Sequence, residues 1–312
     1  MPNGMIIKAI SGYYYVLPEG GNKFGPLVQC RARGIFKKKG ITPLVGDRVQ
    51  YEATENGEGT VDEIYPRTNE LTRPPIANVD LAIVVFSVHE PSLNLQLLDK
   101  FLVHTEKAGL ETIICLSKQD LLKTQQQEPE SPVPAALSAG NPIDQVVELY
   151  QKIGYEVILS SAKKKKGTEA ILRRLSGRIA VFSGQSGVGK SSLLNAMIPD
   201  LNLETNQISY KLGRGKHTTR HVELIPLEDS GWVADTPGFS QLDFTGMREE
   251  ELADCFIEFA AFAELCKFRG CLHVHEPGCR VIEARARGEI SASRYDHYSL
   301  FLQELREKKR RF

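Results

Sequence analysis

Apolar and polar positions change their rhythm twice along this chain. Over residues 1 to about 70, short β-rich stretches at 13–17, 27–31, 47–53 and 59–64 alternate with turn signals at Glu19-Gly20-Gly21-Asn22 and Glu55-Asn56-Gly57. Five or so short strands in this length predict a small barrel. From residue 80 onward, apolar runs at 81–88, 112–116, 156–160 and 179–183 read as strands buried on both faces, separated by helical patterns at 94–108, 142–153 and 167–175. That alternation predicts an α/β domain on a mainly parallel sheet. Two more strand candidates, 222–226 and 231–234, flank a turn at Glu228-Asp229-Ser230 and close the domain near 240. Beyond it the pattern becomes helical and then rich in Cys and His. The expected domains are 1–70, 71–240 and 241–312, and the four prolines of residues 124–142 mark an insertion rather than core.

Composition narrows the class. With 312 residues, 41% hydrophobic and 25% charged, and with 39 Lys and Arg against 39 Asp and Glu, the chain is neither disordered nor a polycation. Any affinity for nucleic acid must come from local patches. The apolar runs fall far short of the roughly 20 residues of a membrane span, and the N-terminus has no basic-then-apolar secretion signal. A cytoplasmic protein without membrane contact is expected. Six cysteines are too few for a disulfide scaffold; Cys266, Cys271 and Cys279 cluster, while Cys30, Cys115 and Cys255 stand apart as reduced core thiols.

Gly184-Gln185-Ser186-Gly187-Val188-Gly189-Lys190-Ser191 follows the 179–183 strand and leads into a helix at Ser192, the setting that a G-x-x-x-x-G-K-[ST] phosphate loop requires. Its glycines let backbone N–H groups converge on a β-phosphate, and the helix N-terminus adds a favourable dipole. Lys190 would neutralise the β- and γ-phosphate oxygens, and the Ser191 hydroxyl would ligate Mg²⁺. Downstream, Asp235-Thr236-Pro237-Gly238 ends a strand, which puts Asp235 behind the metal and the Gly238 N–H at a γ-phosphate. The basic stretch 211–220 between them holds Thr218 and Thr219, either able to offer a hydroxyl to Mg²⁺. Such a loop orders around γ-phosphate and metal and relaxes on hydrolysis.

A phosphate loop does not separate ATP from GTP. Ser117-Lys118-Gln119-Asp120, at the end of the 112–116 strand, resembles the guanine-reading Asn-Lys-x-Asp, and Ser161-Ala162-Lys163 resembles the loop that supports the base carbonyl. An Asp120 carboxylate can accept from guanine N1–H and the exocyclic amine, while Lys118 lays its stem across the ring. These base-reading pieces precede the phosphate loop, whereas an ordinary GTPase places them after it. The order is that of a circularly permuted GTPase.

On these motifs the chain resembles the ribosome small-subunit-dependent GTPase A family over nearly its whole length, including the junction Arg73-Pro74-Pro75-Ile76-Ala77-Asn78-Val79-Asp80. The resemblance implies an N-terminal β-barrel of the OB-fold type, a central circularly permuted P-loop GTPase domain of α/β class, and a C-terminal α-helical zinc-binding domain. It implies Mg²⁺-dependent hydrolysis of GTP to GDP on the small ribosomal subunit, stimulated by that subunit during its late maturation. A monomer is expected. Likeness to other Thr-Thr-Arg switches favours Thr219 over Thr218 as the second magnesium ligand. Ser117 departs from the usual Asn, and its shorter side chain is expected to weaken contacts to the base or to the phosphate loop.

Cys266, Cys271 and Cys279, with His273 or His275, supply enough thiolate and imidazole for a closed tetrahedral Zn²⁺ site, hence a structural one. The family pattern selects His273. Residues 1–50 hold eight Lys and Arg against two acids, a local charge of +6, beside Tyr13, Tyr14, Tyr15 and Phe36. Charge alone fits a solvated face; the resemblance turns the reading to an rRNA-contacting barrel. Lys163 to Lys166 and the basic tail 306–311 could add contacts, although a charged helix end accounts equally well for the tail.

Catalysis is expected to need a partner. GTPases commonly place a water-orienting Gln just after the switch glycine, but here Phe239 follows Gly238. His217, beside the switch threonines, is the candidate to orient water once the partner orders the loop; an exposed or RNA-facing role suits it equally. Lys190 and Thr219 complete the catalytic set. Two other classes fit the same loop, a nucleotide-gated rRNA-binding module with negligible turnover and an ATP-dependent enzyme.

Overall fold

A computed structural model describes residues 1–53, 58–72, 74–126, 141–198, 222–228, 231–234 and 242–309. The N-terminal strands are β1 (Asn3–Ile10), β2 (Tyr13–Pro18), β3 (Val28–Ala32), β4 (Arg48–Ala53) and β5 (Glu58–Ile64), with a short helix α1 (Gly34–Lys38) between β3 and β4. Pairing runs β1-β2-β3-β5-β4, and β4 pairs back to β1, so the sheet closes as a five-stranded barrel of OB type. Ile6, Val16, Cys30, Val49 and Val61 fill it, each fully buried. Gly4 permits the closure, because a Cβ there would lie 2.5 Å from the Leu17 carbonyl oxygen. Phe36 belongs to this core, so it is not available to RNA.

The joint to the next domain is polar and saturated. The Arg67 guanidinium holds the fully buried Asp47 carboxylate through two 2.7 Å bonds, and Asp47 also accepts from the Leu44 amide. Asn78 accepts from the Thr68 amide and donates to the Gly46 carbonyl. A small hairpin, β6 (Glu70–Thr72) with β7 (Pro75–Ala77), lies in this joint.

The α/β domain contains β8 (Leu81–Ser87), α2 (Leu95–Lys107), β9 (Glu111–Ser117), α3 (Pro142–Ile153), β10 (Glu156–Leu159), α4 (Thr168–Leu175), β11 (Ile179–Ser183), α5 (Lys190–Met197), β12 (Val222–Pro226) and β13 (Trp232–Ala234). A 3₁₀ stretch, Gln119–Gln126, follows β9. The strand order is β10-β9-β8-β11-β13-β12, parallel except for β12. One face packs Ile83, Ile113, Ile171 and Leu193 beneath α4 and α5; the other packs Phe86, Leu98, Phe101 and Tyr150 beneath α2 and α3. Both faces are therefore dry, which explains strands such as β8 that are apolar at nearly every position. β12 also pairs with β1, Lys8 opposite Glu223, so the barrel is stitched onto the sheet.

The C-terminal part is helical: α6 (Glu249–Asp254), a 3₁₀ turn (Ile257–Phe259), α7 (Ala260–Ala263), α8 (Arg280–Ala286) and α9 (Ala292–Lys309). Leu252, Phe256, Phe259, Val281, Tyr298 and Phe301 form its core, and α9 lies against α2. Within the tail, Arg306 pairs with Glu249 at 2.8 Å and Lys308 with Glu304 at 3.8 Å, which fits a charged helix end.

Candidate functional site

The phosphate loop leaves the centre of the sheet. β11 is buried along its length, and Gly184 follows with φ 140°, where a Cβ would come within 2.1 Å of the Val85 carbonyl oxygen. Only glycine fits so close to β8. Gly189, in the left-handed region at φ 97°, starts α5. Lys190 is 7% exposed, and its Nζ donates to the carbonyls of Gly184 at 2.7 Å and Gln185 at 2.8 Å. Burial pulls its pKa down to about 8. The ammonium thus rests on the loop's own carbonyls, and Ser191 stands buried in the first turn of α5.

Beside this loop opens a cavity of about 170 Å³ lined by Ser117, Lys118, Asp120, Ala162, Lys163, Gly189 and Ser192, among others. Residues from three separate stretches thus meet around one space. The Ser161 hydroxyl donates to Asp120 Oδ1 at 2.5 Å, the main reason the Asp120 pKa is lowered, so the group is a carboxylate at neutral pH. Backbone bonds from Gln119 to Ser160 and from Ser160 to Leu116 fasten the 117–120 and 161–163 loops together. The Ser117 hydroxyl lies 2.5 Å from the Val188 carbonyl and 3.2 Å from that of Phe86. The shorter residue therefore still ties the base loop to the phosphate loop. Lys118, at φ 60°, donates from Nζ to the Glu90 carbonyl. That last partner belongs to no motif read from the sequence.

His217, Thr219, Asp235 and Gly238 lie outside the described residues. So does the remainder of the 211–220 stretch.

In the C-terminal domain, Cys266, Cys271, His273 and Cys279 bring their ligand atoms within 4.8 Å of one another. Cys266 Sγ is 3.7 Å from His273 Nδ1 and 3.9 Å from Cys279 Sγ, and His273 Nδ1 is 3.3 Å from Cys279 Sγ. Zinc–ligand bonds near 2.3 Å for sulfur and 2.0 Å for nitrogen set tetrahedral edges of about 3.8 and 3.5 Å. These three separations are close to that size, and the four donors match that chemistry. His275 is exposed and outside the group. Glu276 organises the loop by accepting from the amides of Leu272, Val274 and His275; against burial, which raises its pKa, these amides bring it down to about 2. Tyr295 and Tyr298 of α9 donate to the His273 and Leu272 carbonyls at 2.6 and 2.5 Å, joining the loop to the helix.

On the barrel, Lys37, Lys38 and Lys39 are exposed, and the Arg31 guanidinium lies 4.6 Å over the Tyr13 ring. These residues leave positive charge at the barrel surface.

Two family models match the chain, an RsgA GTPase model over residues 64–245 and an RsgA N-terminal domain model over residues 3–61. The small ribosomal subunit biogenesis GTPase RsgA of Bacillus velezensis (strain DSM 23117 / BGSC 10A6 / LMG 26770 / FZB42) is 52% identical, and that of Bacillus subtilis (strain 168) 50% identical, over 312 residues covering 100% of both chains in each case. Among solved structures, YloQ, described as a circularly permuted GTPase, is 45% identical with a TM-score of 0.79, covering 99% of this chain and 96% of its own. YjeQ from Thermotoga maritima is 35% identical with a TM-score of 0.81, covering 97% and 98%.

Proposed function

The chain belongs to the RsgA GTPase family, and from that membership and the geometry of the site we infer that it hydrolyses GTP to GDP and phosphate in the biogenesis of the small ribosomal subunit. The observation that carries the nucleotide assignment is the Asp120 carboxylate, oriented by Ser161, across one cavity from the phosphate loop. An acceptor there matches the N1–H and exocyclic amine of guanine; adenine offers no such pair of donors.

The roles of individual residues follow from this reading. Backbone N–H groups of 184–189 and the Lys190 ammonium take the β- and γ-phosphates once the lysine leaves its resting carbonyls. The hydroxyls of Ser191 and Thr219 would hold Mg²⁺, with the Asp235 carboxylate supporting it and the Gly238 N–H available to the γ-phosphate. Magnesium supplies charge neutralisation at the β- and γ-oxygens. His217 orients the attacking water when the subunit orders its loop. His217→Ala with unchanged GTP affinity and full subunit-stimulated turnover removes that role.

The cationic barrel face is the rRNA-contacting surface in this reading. The Cys₃His cluster holds one structural Zn²⁺, since four protein ligands leave no open position. The protein acts as a cytoplasmic monomer, and no helix among the described residues is long and apolar enough to cross a membrane.

The test is GTP hydrolysis at fixed salt, alone, with purified small subunits and with large subunits, with ATP as control. Stimulation of GTP turnover by small subunits alone is the expected result. Equal or absent turnover in all three leaves a nucleotide-gated binding module, and equal use of ATP overturns the role of Asp120.

A further inference from the structure

One short turn touches both the base-reading lysine and the phosphate loop. β8 ends at Ser87, which sits opposite Ser117 in the parallel ladder. Its hydroxyl, on a residue 1% exposed, accepts from the backbone N–H of Glu90 at 3.0 Å and of His89 at 3.3 Å. A serine oxygen that gathers the amides following it holds the path of the turn. The turn then aims the Glu90 carbonyl at Lys118 Nζ, which donates to it. On one side Pro91 comes near the phosphate loop, where a Cβ at Gly187 would lie 3.9 Å from Pro91 Cδ. On the other, a Cβ at Gly189 would lie 3.9 Å from Lys118 Cε, so the lysine stem runs along the wall between the loop and the cavity.

We propose that Ser87 is a positioning residue for guanine-nucleotide binding: it holds the turn that presents the Glu90 carbonyl to the Lys118 ammonium, and thereby keeps the Lys118 stem extended where the base stacks. The inference rests on the assignment of 117–120 and 161–163 to the guanine base. A lysine side chain retains much rotamer freedom unless its ammonium is held. Holding it beforehand lowers the ordering cost of binding. Ser87 acts through Lys118 and not through Asp120, whose orientation comes from Ser161.

The experiment is titration of a fluorescent GDP into wild type, Ser87→Ala, Ser87→Thr, Lys118→Ala and the Ser87→Ala/Lys118→Ala double variant, with ADP as control and thermal melts of each nucleotide-free protein. Loss of a hydrogen bond of ordinary net strength predicts that Ser87→Ala weakens GDP binding about three- to tenfold. Ser87→Thr, which keeps the acceptor, restores binding to within about twofold of wild type. In the Lys118→Ala background, Ser87→Ala changes affinity by less than about twofold. Wild-type affinity in Ser87→Ala, or a loss of full size in the Lys118→Ala background, overturns the proposal. Should Ser87→Ala fail to fold, His89→Gly, at an exposed position of the same turn, replaces it and must show the same dependence on Lys118. Equal binding of GDP and ADP by wild type instead overturns the guanine-site reading, and the inference with it.

Discussion

Arg294 of α9 is the most demanding side chain in the molecule, and its removal gives the sharpest test of how the C-terminal domain is held. It is 1% exposed, donates to Asp99 Oδ1 at 2.7 Å and to both oxygens of Glu258 at 2.7 and 2.8 Å, and lies 4.5 Å over the Phe256 ring. Burial works against its charge, but the carboxylates of Asp99 and Glu258 outweigh that and raise its pKa well above the ordinary value. Arg294→Met keeps most of the volume and removes the cation. Asp99 retains the Tyr150 hydroxyl and the His297 ring at 2.5 Å each, whereas Glu258 loses both bonds described for it. Leaving this largely buried carboxylate, 10% exposed, uncompensated costs up to about 3–5 kcal/mol. Urea unfolding followed by far-UV circular dichroism should show that loss. Adding Glu258→Gln removes the stranded charge, so the double variant should recover most of the deficit, and the cycle should give a coupling above about 1 kcal/mol. A single variant within 1 kcal/mol of wild type, or a double variant no better than the single, would refute the claim that the charges stabilise one another.

Three further outcomes concern His104, Lys190 and Cys271. Burial, then Lys100, lowers the pKa of His104 to about 4, against the opposing pull of Asp243, the Leu242 backbone and Glu304; the folded ring stays neutral, so stability is intact above pH 6.5 and falls by up to about 3 kcal/mol as pH drops from 6.5 to 4, and His104→Phe should flatten that part of the profile. Because Lys190 has a pKa of about 8 before nucleotide binds, and phosphates favour its charged form, GDP affinity should be flat below pH 8 and decline about tenfold per unit above it, with proton uptake measurable by calorimetry in buffers of different ionisation enthalpy. Cys271→Ser should lower zinc content from one per chain to near zero by metal analysis and depress the melting of α8 and α9 while leaving GDP affinity unchanged; unaltered zinc stoichiometry would remove Cys271 from the ligand set.

What could be read from the sequence was local. The phosphate loop, the two base-reading strings and the Cys/His cluster each lie within about a dozen residues, and their chemistry constrains spacing directly. β1 escaped because a register shift between Ile6 and Lys8 breaks alternation, leaving Ile6 and Ile7 both buried. The hairpin β6–β7 is three residues per strand, too short for a period to register. Contacts across long separations left no trace either: Arg294 meets Asp99 195 positions away, and the Glu90 carbonyl meets Lys118 28 positions on. Phe36 and Asp47 look like surface groups of a basic barrel, yet packing in the core and pairing with Arg67 bury them.

The permuted order gives those long contacts a purpose. β12, the first element after 199–221, is paired on one side with β13 and on the other with β1, and Lys23 from the barrel donates to the Leu227 and Glu228 carbonyls at its far end. The strand that follows 199–221 is thus an element of the barrel-joined sheet. At the other boundary, Phe244 follows the 235–241 stretch closely and stacks at 3° on His104 of α2, with the Lys100 ammonium 4.8 Å over its ring. From there the chain runs directly into α6 and the helices around the Cys₃His cluster, which α9 and the Arg294 ion pairs fasten to the same α2. In an unpermuted GTPase the chain after that glycine returns to the sheet. Here the described residues on both sides of the 199–241 region are tied to a flanking domain. The stretches 199–221 and 235–241 thus each lead by a short path to a flanking domain, one to the barrel and one to the helices around the Cys₃His cluster, and close-packed interfaces shift between discrete arrangements instead of deforming gradually.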